Sequence, residues 1–573
     1  MKRFSRMLFA AMAVLALGLP GCGSSTSGAA PASAPSTGKT VTVNGALEPG
    51  AAKATLKTVG AAAASIGTVT AIDAATGAVI STAPASIIPD GTGTGGTFSG
   101  LAVAVPATQA GVILKVILNN GTTYRSLVTA DLSAQTGPLT ATIGPNSDAV
   151  VAAVSSSLGI GGILGDSGVK VASGTTLAAV AGAAASAATT ILPLRGTAYV
   201  VDTNTGFPAQ SVPGLTLIDR ASQTVIKTIR FTDQQLNDVG HFANVTADGS
   251  ELWLCSGNYL STTGDVNVYD TAAFRNISTV NAGNRASVIK YSFPNVGCGV
   301  QNVQSRDGKY LFTSIGQGSK GVNVFDVKNH KHLGKIDNSN TDPHVGDVSP
   351  DNKTYYTTAN SLSKVVAYDI SGLPSVVPSY NTKLFEIDLG YGTLHALRLH
   401  PNGRYLFVGN NTWPVPAGAA VSTSGTNVID LATRKIIATI PGRPHNYAIS
   451  PDGKYLASTE LSSPDCEVSL PGDPGNRLQF IDISTLLTAT PDPTKIKEIY
   501  HFESPGYGGS HSSWDPTTGI LYFSVYDTNF DGWLFTLNTQ NLSAATPSVT
   551  QIGSLIKIGR APHGVSFPGI NGD

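Results

Sequence analysis

Residues 444–457 read Pro-His-Asn-Tyr-Ala-Ile-Ser-Pro-Asp-Gly-Lys-Tyr-Leu-Ala, and this phrase returns in degenerate form along the chain. Each copy is a short β run, a turn at Asp-Gly, Asn-Gly or an equivalent, and a second β run. The copies are His241-Phe-Ala-Asn-Val-Thr-Ala-Asp248-Gly249, Val300-Gln-Asn-Val-Gln-Ser-Arg-Asp307-Gly308 and His344-Val-Gly-Asp-Val-Ser-Pro-Asp351-Asn352. They continue with His395-Ala-Leu-Arg-Leu-His-Pro-Asn402-Gly403, the 444–457 copy itself, His511-Ser-Ser-Trp-Asp-Pro-Thr-Thr518-Gly519 and His563-Gly-Val-Ser-Phe-Pro. A chain that repeats itself in this way stacks one supersecondary unit many times.

Most units carry a third run ending in an apolar residue, an aromatic or Ile, and Asp. Val268-Tyr269-Asp270, Val324-Phe325-Asp326, Ala367-Tyr368-Asp369, Val428-Ile429-Asp430 and Phe480-Ile481-Asp482 are the examples. A fourth run follows, as in residues 435–440. Four strands per repeat of about fifty residues predict a propeller blade. Seven starts predict seven blades. The seventh has only its first strand at the C-terminal end. Its missing strands are supplied by Thr197–Asp202, Leu215–Asp219 and Thr224–Ile229, so the two ends of the array complete one blade and no sheet edge is left open. The expected fold is all-β: a seven-bladed β-propeller over 194–573, preceded by a smaller β-sandwich-like domain.

The turn at residues 451–456 and the Tyr/Ile-Asp triplets resemble seven-bladed propellers of the YVTN-repeat type. The likeness extends more distantly to cytochrome-d1-like, lactonase-like and nitrous-oxide-reductase-like propellers, and covers residues 194–570. It implies the fold and leaves the chemistry open, because one fold hosts many activities.

The N-terminal third reads differently. Lys2, Arg3 and Arg6 precede an apolar run from Leu8 to Leu17, and Leu19-Pro20-Gly21-Cys22 resembles a lipobox. Residues 1–21 are therefore expected to be a lipoprotein signal peptide, with Cys22 lipidated. Residues 22–40, rich in Ser, Gly, Ala, Thr and Pro, are expected to be a flexible tether. Gly23 rather than Asp after the cysteine favours the outer membrane, so the expected place is the cell envelope, on the periplasmic or surface face. Residues 41–145 hold short β runs. With Gly67–Asp73, Thr76-Gly77 and Gly96–Leu101 they resemble a carboxypeptidase-regulatory-like, prealbumin-type sandwich, whose usual role is spacing or adhesion. Residues 146–193 read as an Ala/Gly-rich linker or helices. A net charge of −1 gives no reason to expect a nucleic-acid partner. The partners to expect are the membrane, through the anchor, and a protein or small molecule at a propeller face.

Six of the ten histidines occupy one repeated position: His241, His344, His395, His445, His511 and His563. In a blade of this type the strand entering the turn is the innermost, so these side chains are expected around one mouth of the central channel. Converging imidazoles suit a transition metal, and copper is favoured; a haem d1-like cofactor is the less favoured alternative. In blade two Val300 stands at that position, with Cys298, a soft copper ligand, two residues earlier. Cys298 also has pairing options with Cys255 and Cys466. The same histidines have a purely structural reading, in which they line a wet channel and tie blades together. Arg443, Arg560 and Asp342 lie close before three of them; the arginines have an alternative reading as binders of an anionic ligand at the mouth, but ties between neighbouring blades are the favoured reading. His330, His332, His400 and His501 are out of register, and His400, before Pro401 in a turn, is expected to face solvent. Asp527–Gly532 begins like a calcium loop but has Asn538 where that loop needs Glu, so a β-turn is expected.

Three functions follow as expectations. The first is a metal site for redox or metal handling, as in a metal-dependent oxidoreductase. The second is a non-catalytic envelope scaffold. The third is a lactonase-like hydrolase, for which Glu460 is the best-placed carboxylate.

Overall fold

The computed structural model describes residues 36–48, 51, 65–90, 95–107, 110–119, 121–202, 213–232, 239–256, 264–281, 283–297, 301–315, 321–336, 342–390, 392–410, 425–460, 477–527 and 529–568. Of the positions singled out above, Cys22, Cys298, Val300, Cys466 and the side chain of His241 lie outside them.

The C-terminal part is a seven-bladed β-propeller. The innermost strands of blades one to seven are Val239–Val245, Asn302–Gln304, Gly346–Val348, Leu394–Leu399, Pro444–Ile449, Gly508–Trp514 and Pro562–Ser566. Each packs against the innermost strand of the next blade, and the seventh returns to the first. The closing blade is assembled from both ends of the array: Pro562–Ser566 pairs with Thr197–Asp202, followed outward by Gly214–Asp219 and Thr224–Phe231. That is the closure read from the sequence.

The repeated phrase folds as it does for local reasons. In blade five Ser450 Oγ donates to Asp452 Oδ1 at 2.7 Å and accepts the Tyr455 amide at 2.9 Å. Ser305 and Ser349 accept the amides of Tyr310 and Thr354 in the same way, each at 2.9 Å. The residue after the turn Asp is left-handed, with φ of 73° at Gly308, 58° at Asn352 and 70° at Gly453, which is why it is Gly or Asn. The aromatic or Ile of each third-strand triplet is the packing unit between blades: Tyr269, Phe325, Tyr368, Ile429 and Ile481 are fully buried. Each such burial contributes on the order of 1.5–3 kcal/mol.

Short polar side chains stitch neighbouring inner strands together. Asn302 Nδ2 donates to the Phe242 carbonyl at 3.0 Å, Gln301 Oε1 accepts the Gly346 amide at 2.7 Å, and Asn446 Oδ1 accepts the Ser512 amide at 3.0 Å. Ser513 and Ser566 donate to the carbonyls of Val565 and Ala243, both at 2.7 Å. Such bonds satisfy backbone groups that water cannot reach.

Ahead of the propeller, seven strands form one path, β6-β5-β2-β3-β4-β1-β7, where β1 is Ser36–Leu47, β2 Gly67–Asp73, β3 Ala85–Pro89, β4 Gly96–Pro106, β5 Val112–Leu118, β6 Thr123–Val128 and β7 Leu139–Ile143. Inward residues of both halves, among them Val43, Val69, Val103 and Leu114, share one core, so the path folds over on itself. The first strand starts before the boundary at residue 41 read from the sequence. Two helices follow, α1 (Pro145–Ser157) and α2 (Leu177–Arg195), and Thr176 caps the second by accepting the Ala179 amide. Among the described residues no helix is long and apolar enough to cross a membrane.

Candidate functional site

The pairing register explains how the repeated histidine comes to face the channel. Blade four slips between Leu394 and Ala396, blade five between Pro444 and Asn446, blade six between Gly509 and Ser512, and blade seven between Pro562 and Val565. His395, His445, His511 and His563 each sit inside one of these bulges. A bulge adds one residue to a strand and re-aims its side chain. In blade three the His344 amide is held instead by Thr358 Oγ1 at 3.2 Å.

The result is an unbroken arc of imidazoles. Ring centroids are 4.3 Å apart from His344 to His395, 4.7 Å from His395 to His445, 4.7 Å from His445 to His511 and 5.1 Å from His511 to His563. Phe242, from blade one, meets the His511 ring edge-on at 4.8 Å, reaching past the closing blade that separates them. The space left over is a cavity of about 20 Å³ whose lining includes Phe242, Gln301, His344, His395, His445 and His511. That is room for one water-sized guest.

The hydrogen bonds fix which ring nitrogen carries the proton. His395 Nδ1 lies 3.2 Å from the His445 carbonyl, His445 Nδ1 3.1 Å from the Ser510 carbonyl, and His563 Nδ1 3.1 Å from the Ala561 carbonyl. A carbonyl only accepts, so Nδ1 is the donor in each and Nε2 keeps its lone pair. His511 Nδ1 pairs with the Ser510 hydroxyl at 2.9 Å. His344 Nε2 is buried and has no hydrogen-bond partner. For His344, His395, His445 and His563 burial is the first cause that disfavours the charged form. It pulls His344 and His445 well below the usual histidine range, helped by neighbouring histidines, lowers His395, and takes His563 to about 4.

Beneath the arc lies a charged group for which the sequence offered no signal. Asp347, fully buried, accepts Arg306 Nη2 at 2.6 Å, lies 3.8 Å from Arg398 Nε, and takes the Leu399 amide at 3.0 Å. Blades two, three and four are joined through it, and Arg398 also reaches the cavity wall.

The remaining candidates fall elsewhere. His400 is not solvent-facing: it is fully buried, with Nε2 3.0 Å from the Gly453 carbonyl of blade five and Nδ1 accepting the Asn402 amide at 3.2 Å. Its imidazole fills the joint between blades, where a turn residue with Pro after it looked free. His330 pairs with Glu251, His332 with Asn323 and His501 with Glu498. Cys255 is disulfide-bonded. Arg560 donates to the Asn529 carbonyl at 2.6 Å, a tie of the kind expected. Asp527 Oδ1 accepts the amides of Asn529 and Asp531 at 2.8 and 3.1 Å, a self-contained turn. Glu460 is buried and ion-paired with Arg477 at 2.6 Å; burial raises its pKa and Arg477 opposes this, and it does not line the cavity. Among the described residues no three His, Cys, Asp or Glu side chains form a ready-made metal cage.

No protein-family model and no curated protein matches the chain. Solved structures do match. Hydrazine synthase from Kuenenia stuttgartiensis is 18% identical, aligned over 60% of this chain and 89% of that one, with a TM-score of 0.41. The dihydro-heme d1 dehydrogenase NirN is 14% identical over 65% of this chain and 75% of its own, with a TM-score of 0.40. A functionally unknown protein from Desulfotomaculum acetoxidans is 12% identical over 65% of this chain and 99% of its own, with a TM-score of 0.44. At these identities the likeness concerns the fold alone.

Proposed function

We propose that this protein is a lipid-anchored propeller of the cell envelope that binds a transition-metal ion, with copper favoured, at its arc of channel histidines. Its chemistry is redox or metal handling. One observation carries the reading: on two successive blades Nδ1 of His395 and Nδ1 of His445 are tied to backbone carbonyls, which leaves Nε2 of each as the nitrogen with its lone pair. Metal-binding histidines are oriented in this way, with the second nitrogen committed to a carbonyl or carboxylate. The cavity of about 20 Å³ suits a single ion and is far too small for a tetrapyrrole. The lipobox-like Leu19–Cys22 supports the anchor, the YVTN-like turns support an extracytoplasmic propeller, and the small β-domain with its resemblance to carboxypeptidase-regulatory modules supports a spacer.

The test is metal analysis of the chain with Cys22→Ser, beside the His395→Ala/His445→Ala double variant. Copper or another transition metal near one per chain, lost in the double variant, is the expected result. No metal after reconstitution, with unchanged thermal stability in the double variant, overturns the reading and leaves a propeller built for binding partners.

A further inference from the structure

The cavity wall carries two carboxamides whose orientation is fixed by the neighbouring blades. Gln301 of blade two and Asn446 of blade five both line it, and they are only 5% and 7% exposed. Gln301 Oε1 accepts the Gly346 amide at 2.7 Å, and Asn446 Oδ1 accepts the Ser512 amide at 3.0 Å. A backbone N–H only donates, so the atom it meets must be the carboxamide oxygen, and the amino group is the other end of each side chain. Nothing among the described residues accepts from Gln301 Nε2 or Asn446 Nδ2. Two buried amino groups are left as donors beside the histidines.

The histidines call for the opposite partner. Nε2 of His395 and of His445 keeps its lone pair, because Nδ1 of each donates to a carbonyl, and His344 Nε2 is buried with no hydrogen-bond partner. Lone pairs attract a cation, and amino groups attract an acceptor. A cation alone would face the positive ends of two amide dipoles, and an anion alone would face the imidazole lone pairs. A cation that carries a small anion satisfies both sets of groups. An imidazole nitrogen lies about 2.0–2.1 Å from a metal ion, against about 3 Å from a hydrogen-bonded water. The ion is therefore drawn in among the nitrogens, and the water-sized space of about 20 Å³ is left to its further ligand. That space limits the ligand to one small heavy atom, as in hydroxide or fluoride.

We propose that the metal ion at this site keeps one exchangeable position for a hydroxide-sized anion, and that Gln301 Nε2 and Asn446 Nδ2 donate the hydrogen bonds that select it. This rests on the metal-binding reading above and adds to it the class of ligand. Binding is an exchange: one metal–ligand bond breaks as another forms, water or hydroxide leaves to solvent, and no electron moves. Gln301 and Asn446 act on the anion and are not ligands to the metal.

The experiment loads the full chain with copper(II) and titrates it with fluoride, followed by the splitting that a bound fluoride nucleus adds to the copper signal in electron paramagnetic resonance. Chloride and azide are titrated in competition. The expected result is copper(II) near one per chain, with fluoride bound at least about tenfold more tightly than chloride or azide. Copper(II) in water ranks azide above fluoride, so that order would be imposed by the site, and it tests the proposal without any variant. Gln301→Glu and Asn446→Asp keep an oxygen for the Gly346 and Ser512 amides and turn a second oxygen, an acceptor, towards the cavity. Each is expected to retain copper and weaken fluoride at least about tenfold, with circular dichroism unchanged. Copper bound without fluoride splitting, azide bound more tightly than fluoride, or fluoride affinity unchanged in both variants overturns this inference and leaves the metal site standing. No copper bound at all overturns both.

Discussion

His445 donates its Nδ1 proton to the carbonyl of Ser510, 3.1 Å away on the next blade. One side chain thereby joins two blades and presents its other nitrogen to the channel, and the two roles are separable. The amide nitrogen of Asn occupies roughly the place of Nδ1 and there is nothing at Nε2. His445→Asn is therefore expected to keep the tie and lose the metal, with stability within about 1 kcal/mol of wild type. His445→Ala loses both, and leaves a buried carbonyl unpaired at a cost of about 1–3 kcal/mol. Urea unfolding beside metal analysis separates them. Equal destabilisation in both variants would show that the Ser510 tie is not what His445 contributes to the fold.

A second joint lies at the outer end of the closing blade. Arg220 grips Asp515 of blade six with two nitrogens, Nε at 2.9 Å from Oδ2 and Nη2 on Oδ1, and Asp515 is fully buried. Burial pushes the Asp515 carboxyl up, but the Arg220 guanidinium more than offsets this and holds it below the usual range. Removing one partner strands the other without compensation. Asp515→Ala is expected to cost about 3–5 kcal/mol, read as a drop in the urea midpoint, and Arg220→Ala a comparable amount. A loss under about 1 kcal/mol for both would place the pair among surface-like contacts.

The propeller was legible in the sequence because its determinants are local. Ser450, Asp452 and Gly453 build their own turn, and Ile481 or Tyr368 marks its strand whatever the neighbouring blade contains. Even the closure could be read, since Thr197–Asp202 and His563 are visibly parts of one unit. The site was legible only in outline. The repeat put six histidines at one position, but the bulge that turns His395 or His445 inward depends on the partner strand and leaves no mark in the spacing. His400 was misread for a related reason: its acceptor, the Gly453 carbonyl, lies 53 residues away on another blade. Arg306, Asp347 and Arg398 are single charges on three blades, and no local pattern links them.

Ring closure depends on a position where no side chain fits. Gly559, just before the last strand, packs directly on the Asp202 carboxylate, and a Cβ there would overlap Oδ2. Its amide donates to Thr216 Oγ1 at 3.3 Å, and that hydroxyl donates to Asp202 Oδ2 at 3.0 Å. Gly559→Ala must push the C-terminal strand away from Thr197–Asp202, at a cost of about 1–3 kcal/mol. Because the strain sits at the closure, the first signal is expected as faster amide hydrogen exchange in Pro562–Ser566. Protection unchanged there would mean that the chain relaxes around the added methyl.

Asp202 makes the same closure sensitive to pH. It is fully buried on the strand that receives Pro562–Ser566; burial raises its pKa from 3.8 to about 7, opposed by the charge of Arg230 and the Thr216 hydroxyl. A raised acid pKa means that the folded chain keeps a proton the unfolded chain has released. This group's contribution to stability is therefore full below about pH 4 and is lost as pH rises towards 7, after which it is flat. The stability of Asp202→Asn relative to wild type is expected to rise across that window, by up to roughly 4 kcal/mol, because the amide is never charged and its oxygen still accepts from Thr216. Urea midpoints of both proteins at pH 4.5 and pH 8 decide the matter. A gap that widens at the higher pH locates the titration at Asp202, whereas curves that run parallel would place the pH sensitivity of the fold elsewhere.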